Sequence, residues 1–207
     1  MTHVDAYILI GGRSSRFGSD KAFVEIEGEP LARRMARIVN EGMASDRLIF
    51  VAAAGDQFAP AQVQSLRHSV IFDQKPGFGA WSGLHTALAN CDGDWIFVVA
   101  CDLPFISADF LQFLSALAKD DLDAIVPRQP DGRLQPLCAY YRRDPTLASV
   151  EKSLCSEDAI PPLNTLFREL KTKVVESDEY SALMNSHKFF LNVNTATDIS
   201  ASSGPPW

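Results

Sequence analysis

The sequence predicts an α/β fold with a mostly parallel central sheet. Three observations carry that expectation. Short runs of consecutive apolar residues recur along the chain. Segments with apolar residues at helical spacing lie between them. Polar or glycine-rich loops come after three of the runs, beyond Ile10, Phe72 and Ala100. Runs that are apolar at every position suit strands buried on both faces, which is the condition of parallel sheets covered by helices. Regular alternation of strand and helix is the pattern of that architecture.

Along the chain, Ala6-Tyr7-Ile8-Leu9-Ile10 is the first strand, and Gly11-Gly12 ends it. Leu31, Met35, Ile38 and Val39 have helical spacing, with Arg33, Arg34 and Arg37 between them. Pro30 fits the first turn of that helix. Leu48 to Ala52 and Val70 to Phe72 are further strands, the latter ending at Asp73. Lys75-Pro76-Gly77-Phe78-Gly79 leads to a helix around Ser82 to Ala89. Trp95 to Ala100 is the most strand-like run, closed by Cys101-Asp102 and Pro104. Ser107 is placed to cap a helix carrying Phe110, Leu111, Leu114 and Leu117 on one face. Ala124 to Val126 and Leu137 to Tyr141 read as strands, and Asp131-Gly132 as a turn. Asp144 to Leu170 reads as mostly helical, interrupted by Pro161-Pro162, and Lys173 to Val175 and Phe189 to Leu191 as late short strands. Ligands of such sheets bind beyond the carboxyl ends of the strands, where strand order reverses. The three loops are therefore expected along one edge.

Composition bounds the function. A chain of 207 residues suits one domain, expected over residues 1–199, with 200–207 as a flexible tail. At 46% hydrophobic and 22% charged residues it builds a core without disulfide or metal staples. Nineteen Lys and Arg against 26 Asp and Glu give a net charge of −7, which argues against general nucleic-acid binding. Met1 to Asp5 lacks the basic and apolar regions of a signal peptide. The longest apolar runs are too short to cross a bilayer. A cytoplasmic location and no membrane partner are expected. Cys91, Cys101, Cys138 and Cys155 form no C-x-x-C pair and read as reduced apolar residues. His3, His68, His85 and His187 show no zinc-ligand spacing.

The loop after the first strand reads Gly11-Gly12-Arg13-Ser14-Ser15-Arg16-Phe17-Gly18-Ser19-Asp20-Lys21. Paired glycines let the backbone approach a ligand with N–H groups turned to an anion. Arg16 and Lys21 supply charge for a polyphosphate. The loop matches neither the Gly-Lys-Ser/Thr phosphate loop nor G-x-G-x-x-G. A solvated turn with ordinary surface charge is the plainer reading of two glycines and three cations.

The order of residues is more specific. Leu9, Gly11, Gly12, Ser14, Arg16, Gly18, Asp20 and Lys21 reproduce Leu-x-Gly-Gly-x-Ser-x-Arg-x-Gly-x-Asp-Lys. That signature resembles the one of nucleotidyltransferases of the molybdenum cofactor guanylyltransferase (MobA) family. Asp73 to Gly83 is similar to the family's Asp…Pro-Gly…Gly-Pro-Leu-Ala-Gly segment. Val99 to Phe105 is similar to its Pro-Cys-Asp-Met-Pro-Phe segment, and Asn192-Val193-Asn194-Thr195 with Asp198 to its Asn-x-Asn-Thr segment. The resemblance runs from Leu9 to about Asp198.

It implies a Rossmann-like three-layer nucleotidyltransferase fold and transfer of GMP from GTP to molybdopterin, with Mg²⁺ as cofactor. Arg16, Lys21 and Asp102 would be catalytic, and Asp102 would also hold the metal. Leu9, Ile10, Gly11, Gly12, Lys21, Asp73 and Asp102 would bind the nucleotide. Asn192 and Asn194 would face molybdopterin. Transient contact with other molybdenum cofactor biosynthesis proteins or with target molybdoenzymes is also implied. The plainer readings are turn-forming roles for Asp102, Asp73 and the two asparagines.

The sequence departs from the family at four places, the mildest being Phe17 where Met usually follows the Arg. Ala52-Ala53-Ala54-Gly55 lacks the Asn that often helps read guanine after the second strand. Trp81 replaces a smaller residue, either to stack on a base or to enter the core. Cys155 to Asn164, with its two prolines, is irregular. Cytidylyl transfer to molybdopterin or to a polyol phosphate, and a non-catalytic module binding molybdopterin or nucleotide, stay open.

Overall fold

The computed structural model describes residues 4–11, 21–43, 45, 47–156 and 159–193. Within them, β1 (Val4–Leu9) precedes a 3₁₀ turn at Lys21–Phe23 and the short pair β2 (Glu25–Ile26) and β3 (Glu29–Pro30). Next come α1 (Leu31–Gly42), β4 (Arg47–Ala52), α2 (Pro60–Ser65), β5 (Ser69–Phe72), α3 (Ala80–Ala89), β6 (Trp95–Ala100) and α4 (Ala108–Ser115). The remainder is β7 (Ala124–Pro127), β8 (Cys138–Arg142), α5 (Arg143–Leu154), a 3₁₀ segment at Leu163–Arg168, β9 (Thr172–Val175) and a 3₁₀ turn at Ser186–Lys188.

Seven strands form one sheet in the order β5-β4-β1-β6-β8-β7-β9. β5, β4, β1 and β6 are mutually parallel, β8 runs against both β6 and β7, and β9 is parallel to β7. The chain steps outward from β1 to β4 and β5, then crosses back to lay β6 on the other flank of β1. The strand order reverses between β1 and β6, so the ligand crevice of such a sheet lies beyond their carboxyl ends.

Successive residues of β1 point to opposite faces. Ala6, Ile8 and Ile10 pack with Met35 and Val39 of α1 and with Phe110 and Leu114 of α4. Tyr7 and Leu9 pack with Leu84 and Leu88 of α3 and with Val150 of α5. The result is the expected three-layer α/β/α arrangement. α1 buries Leu31, Met35, Ile38 and Val39 as its spacing requires. It also packs closely on α4, because a Cβ on Gly42 would lie 2.7 Å from the Ala108 carbonyl oxygen. Ser107 caps α4 by accepting from the Phe110 N–H at 3.2 Å, a cap that contributes about 1 kcal/mol.

Three expectations from the sequence need correction. Phe189 to Leu191 is not a strand: Phe189 is fully buried against Phe110, with ring centroids 4.8 Å apart. Its apolar demand is met by an aromatic cluster, with no ladder partner. α5 stops at Leu154, and the chain beyond Pro162 winds into a 3₁₀ segment instead of more α-helix. Pro30 stands just before α1, paired with Glu25, instead of inside its first turn. No helix among the described residues is long and apolar enough to cross a membrane. Cys91, Cys101 and Cys138 are buried free thiols, while Cys155 is free and exposed.

Candidate functional site

The carboxyl ends of the parallel strands are tied together one residue beyond the ladder. The Ile10 and Gly11 N–H groups both donate to the Val51 carbonyl, at 2.9 and 3.2 Å. The Asp73 N–H donates to Ala52 at 2.9 Å, and the Cys101 N–H to Leu9 at 3.1 Å. The three loops therefore leave the sheet at one level. Gly11 is required there for contact alone, since a Cβ would sit 2.8 Å from the Ala53 nitrogen.

Lys21 and Asp102 meet across this crevice. Nζ of Lys21 donates to Oδ2 of Asp102 at 2.9 Å. The lysine side chain is 14% exposed and the carboxylate 28%, so the pair is shielded yet keeps an open face. Lys21 is held by the 3₁₀ turn behind it, where Ala22 is buried in the α1 layer. Asp102 is held from its other side, because its carbonyl accepts from the Val193 N–H at 3.1 Å. That bond brings exposed Asn192 next to the Asp102 loop.

The Asp73 loop is stitched to α3. The Gln74 N–H donates to Thr86 Oγ1 at 3.0 Å and the Phe78 N–H to Ser82 Oγ at 3.1 Å. Ser82 Oγ in turn donates to the Lys75 carbonyl at 2.5 Å. Both hydroxyl residues are fully buried, so the loop is shaped in advance of any ligand. Gly77 and Gly79 have φ of +102° and +60°, backbone that other residues adopt only with strain. Burial raises the Asp73 carboxyl to about 6, so it exchanges its proton just below neutrality.

Gln57 does not stand out in the sequence. Its Oε1 accepts from the Ala53 N–H at 2.9 Å, and its Nε2 donates to the Ile10 carbonyl at 3.3 Å. An amide side chain thus spans the ends of β1 and β4 beside Gly11. Its one sequence signal is a glutamine in the loop after the alanine run.

Other expected residues fall differently. Leu9 and Ile10 are 8% and 3% exposed, with side chains on opposite faces of the sheet, so only their backbone reaches the crevice. Gly12, Arg13, Arg16 and Asn194 lie outside the described residues. Trp81 is core: it is 4% exposed, and its indole N–H donates to the Pro161 carbonyl at 2.9 Å. Among the described residues no three His, Cys, Asp or Glu side chains gather to form a metal cage. A small divalent cation needs less than a cage when phosphates are present, since one or two carboxylates with phosphate oxygens suffice. The open face of Asp102 fits that requirement. The arrangement as a whole can hold a polyphosphate: backbone and ammonium for its charge, and a carboxylate for a cation on its oxygens.

Comparison with known proteins agrees. The model of a family described as MobA-like NTP transferase domain matches residues 6–172. A probable molybdenum cofactor guanylyltransferase of Clostridium perfringens is 31% identical over 206 residues, covering 96% of this chain and 95% of that protein. Another from Pelotomaculum thermopropionicum is 32% identical over 203 residues, covering 96% and 91%. The crystal structure of molybdopterin-guanine dinucleotide biosynthesis protein A from Archaeoglobus fulgidus superposes with a TM-score of 0.75 over 96% of each chain, at 24% identity. That last likeness is one of fold. With a family match over most of its length and the Lys21–Asp102 pair at its switch point, the chain belongs to the MobA-like NTP transferase family.

Proposed function

We propose that this protein is a molybdenum cofactor guanylyltransferase, transferring GMP from GTP to Mo-molybdopterin and releasing pyrophosphate. The observation that carries the reading is the Lys21–Asp102 pair, partly open at the point where the strand order reverses. In the proposed reaction a terminal phosphate oxygen of molybdopterin attacks the α-phosphorus of GTP. The new P–O bond forms as the bond to the β-phosphate oxygen breaks, and pyrophosphate leaves with the electron pair. Such transfer depends on alignment and on neutralising charge.

Each residue has a role in this reading. Gly11, whose own N–H goes to the Val51 carbonyl, and Gly12 would let the phosphates lie close to the backbone, at the ends of Leu9 and Ile10. Arg16 and Lys21 neutralise the leaving pyrophosphate, and Lys21 exchanges Asp102 for a phosphate oxygen as the nucleotide enters. Asp102 holds Mg²⁺, which when bound would polarise the phosphate oxygens. Asp73, ionised above about pH 6, fixes the nucleotide. The Gln57 amide, oriented by Ala53 and Ile10, reads the base edge where the alanine run offers no side chain. Asn192 and Asn194 face the pterin. Residues 1–199 would form one catalytic domain ahead of a tail at 200–207, working in the cytoplasm in transient contact with other molybdenum cofactor proteins.

Pyrophosphate release with each NTP, Mg²⁺ and Mo-molybdopterin tests the reading. Turnover with GTP alone supports it. Turnover with CTP alone selects cytidylyl transfer. Tight nucleotide binding without release selects a non-catalytic module. Gln57→Ala should lower the preference for GTP about tenfold, the scale of one lost base hydrogen bond.

A further inference from the structure

One edge of the sheet is open in a form that suits a second copy of itself. β5 is the end strand beside β4. Among the described strands of the sheet, only β5 has no buried residue. α2, which precedes it, buries none either. Ser69 and Phe72 are exposed, Phe72 by 40%, and Val70 and Ile71 are half-buried. The Asp73 N–H donates to the Ala52 carbonyl, so the odd-numbered residues of this strand turn their N–H and C=O groups to β4. Alternation then points those of Val70 and Phe72 outward, away from the sheet. Such an edge is a template for another strand, and proteins commonly guard it with charge, Pro or a bulge. Ser69-Val70-Ile71-Phe72 has no charge and no proline.

The charges stand at the two ends of this strand. Exposed Arg67 precedes it and half-buried Asp73 follows it. A two-fold axis perpendicular to the sheet lays two β5 strands antiparallel and keeps each face of the sheet continuous. Residues opposite each other then have the same parity. With Val70 opposite Val70, the outward groups of the two valines bond each other, and those of Phe72 bond those of His68. Exposed Phe72 gains the His68 ring as its cross-strand neighbour, and Arg67 stands opposite Asp73 on both sides of the axis. The next register, with Ile71 opposite Ile71, sets Asp73 against Ser69 and leaves both charges unmatched. We propose that β5 is the contact between two copies of this chain, joined antiparallel about a two-fold axis with Arg67 of each facing Asp73 of the other. Each copy thereby carries a cation to the crevice end of its partner's sheet. The proposal stands whether or not the guanylyltransferase reading holds. A contact one strand wide belongs to the small, transient class of interfaces, with Kd expected at about 10 µM.

Sedimentation velocity of the full chain, from about 1 to about 200 µM, tests it. Wild-type protein should pass from monomer to dimer across that range. Arg67→Glu, at an exposed position, should raise Kd about tenfold, because like charges then meet on both sides of the axis. Adding Asp73→Arg to Arg67→Glu restores opposite charges and should return Kd to within about threefold of wild type. Val70→Pro removes the outward N–H at the axis, a donor that β4 does not use, and should abolish the dimer. Wild-type protein that stays monomeric throughout overturns the proposal. A dimer unchanged by both Arg67→Glu and Val70→Pro uses another face and also overturns it. Loss of the dimer in Val70→Pro without response to charge reversal, or reversal without rescue, overturns the Arg67–Asp73 register. If Val70→Pro fails to fold, the charge reversal and its rescue decide alone.

Discussion

At each end of the sheet a carboxylate meets a cation, and the two pairs are built differently. At the amino ends of the strands, Asp5 is fully buried and lies 4.0 Å from the Arg47 guanidinium. The Asp92 N–H also donates to Asp5 Oδ2, at 3.2 Å, while Arg47 bonds both Asp92 and the Asn90 carbonyl. Burial there pushes the Cys91 thiol up to about 11. At the carboxyl ends, Asp102 keeps 28% of its side chain open beside Lys21. A main-chain donor closes the first carboxylate, whereas the loops leave the second a face toward solvent. The same two charge types thus serve cohesion at one end and offer a ligand at the other.

Four measurements put that contrast at risk. The largest effect is expected from Asp102→Asn, which should lower kcat/KM about a thousandfold, the scale of lost metal and phosphate stabilisation. Its melting temperature should stay within a few degrees, because the site carboxylate is not holding the sheet together. More than a tenth of wild-type activity would remove Asp102 from the metal role. Asp5→Asn should do the reverse. It removes the buried charge that Arg47 faces, leaving it the exposed Asp92 as a charged partner, and should reduce stability in urea by about 2–3 kcal/mol, less than a wholly buried pair because the arginine is partly solvated. Its GTP affinity should match wild type, and a parallel loss would show the two ends to be coupled.

Gly11→Ala comes next. The new Cβ meets backbone at 2.8 Å, so the ends of β1 and β4 must separate, at about 1–3 kcal/mol. Calorimetry should show GTP binding weakened about tenfold. The smallest effect concerns Asp73, whose carboxyl burial raises from 3.8 to about 6. The folded protein then holds this proton more tightly than the unfolded chain. The contribution to stability is complete below about pH 4 and is lost as pH rises through 6. Asp73→Asn should flatten that shallow slope in denaturant midpoints taken from pH 4 to 7. An unchanged slope would place the titration elsewhere.

The same physics decides how far the sequence can be read. β6 is legible to the residue, because Trp95 to Ala100 is apolar throughout and bounded by Asp94 and Asp102 with one cysteine between. Ser107 is legible because a cap is a local hydrogen bond. Lys21 and Asp102 can each be named from their motifs. Their contact cannot, since the two are 81 residues apart and meet only through strand order. Gln57 carries no clear signal, because its partner at Ile10 lies 47 residues away. Phe189 to Leu191 misleads because three apolar residues record burial without recording whether a neighbouring strand or an aromatic cluster provides it. Trp81 leaves two readings open, and only the packing of α3 against the Pro161-Pro162 segment selects the core.

The bond from the Val193 N–H to the Asp102 carbonyl has a temporal side. During synthesis, β1, β4, β5 and β6 are all available once residue 100 has left the ribosome, so the parallel half of the sheet can assemble early. The carbonyl of Asp102 then waits for a partner made nearly a hundred residues later, across a long loop closure. A nascent chain halted before Val193 would hold its sheet with the Asp102 loop unpinned. The last clamp on the Asp102 main chain is set when the rest of the fold is already in place.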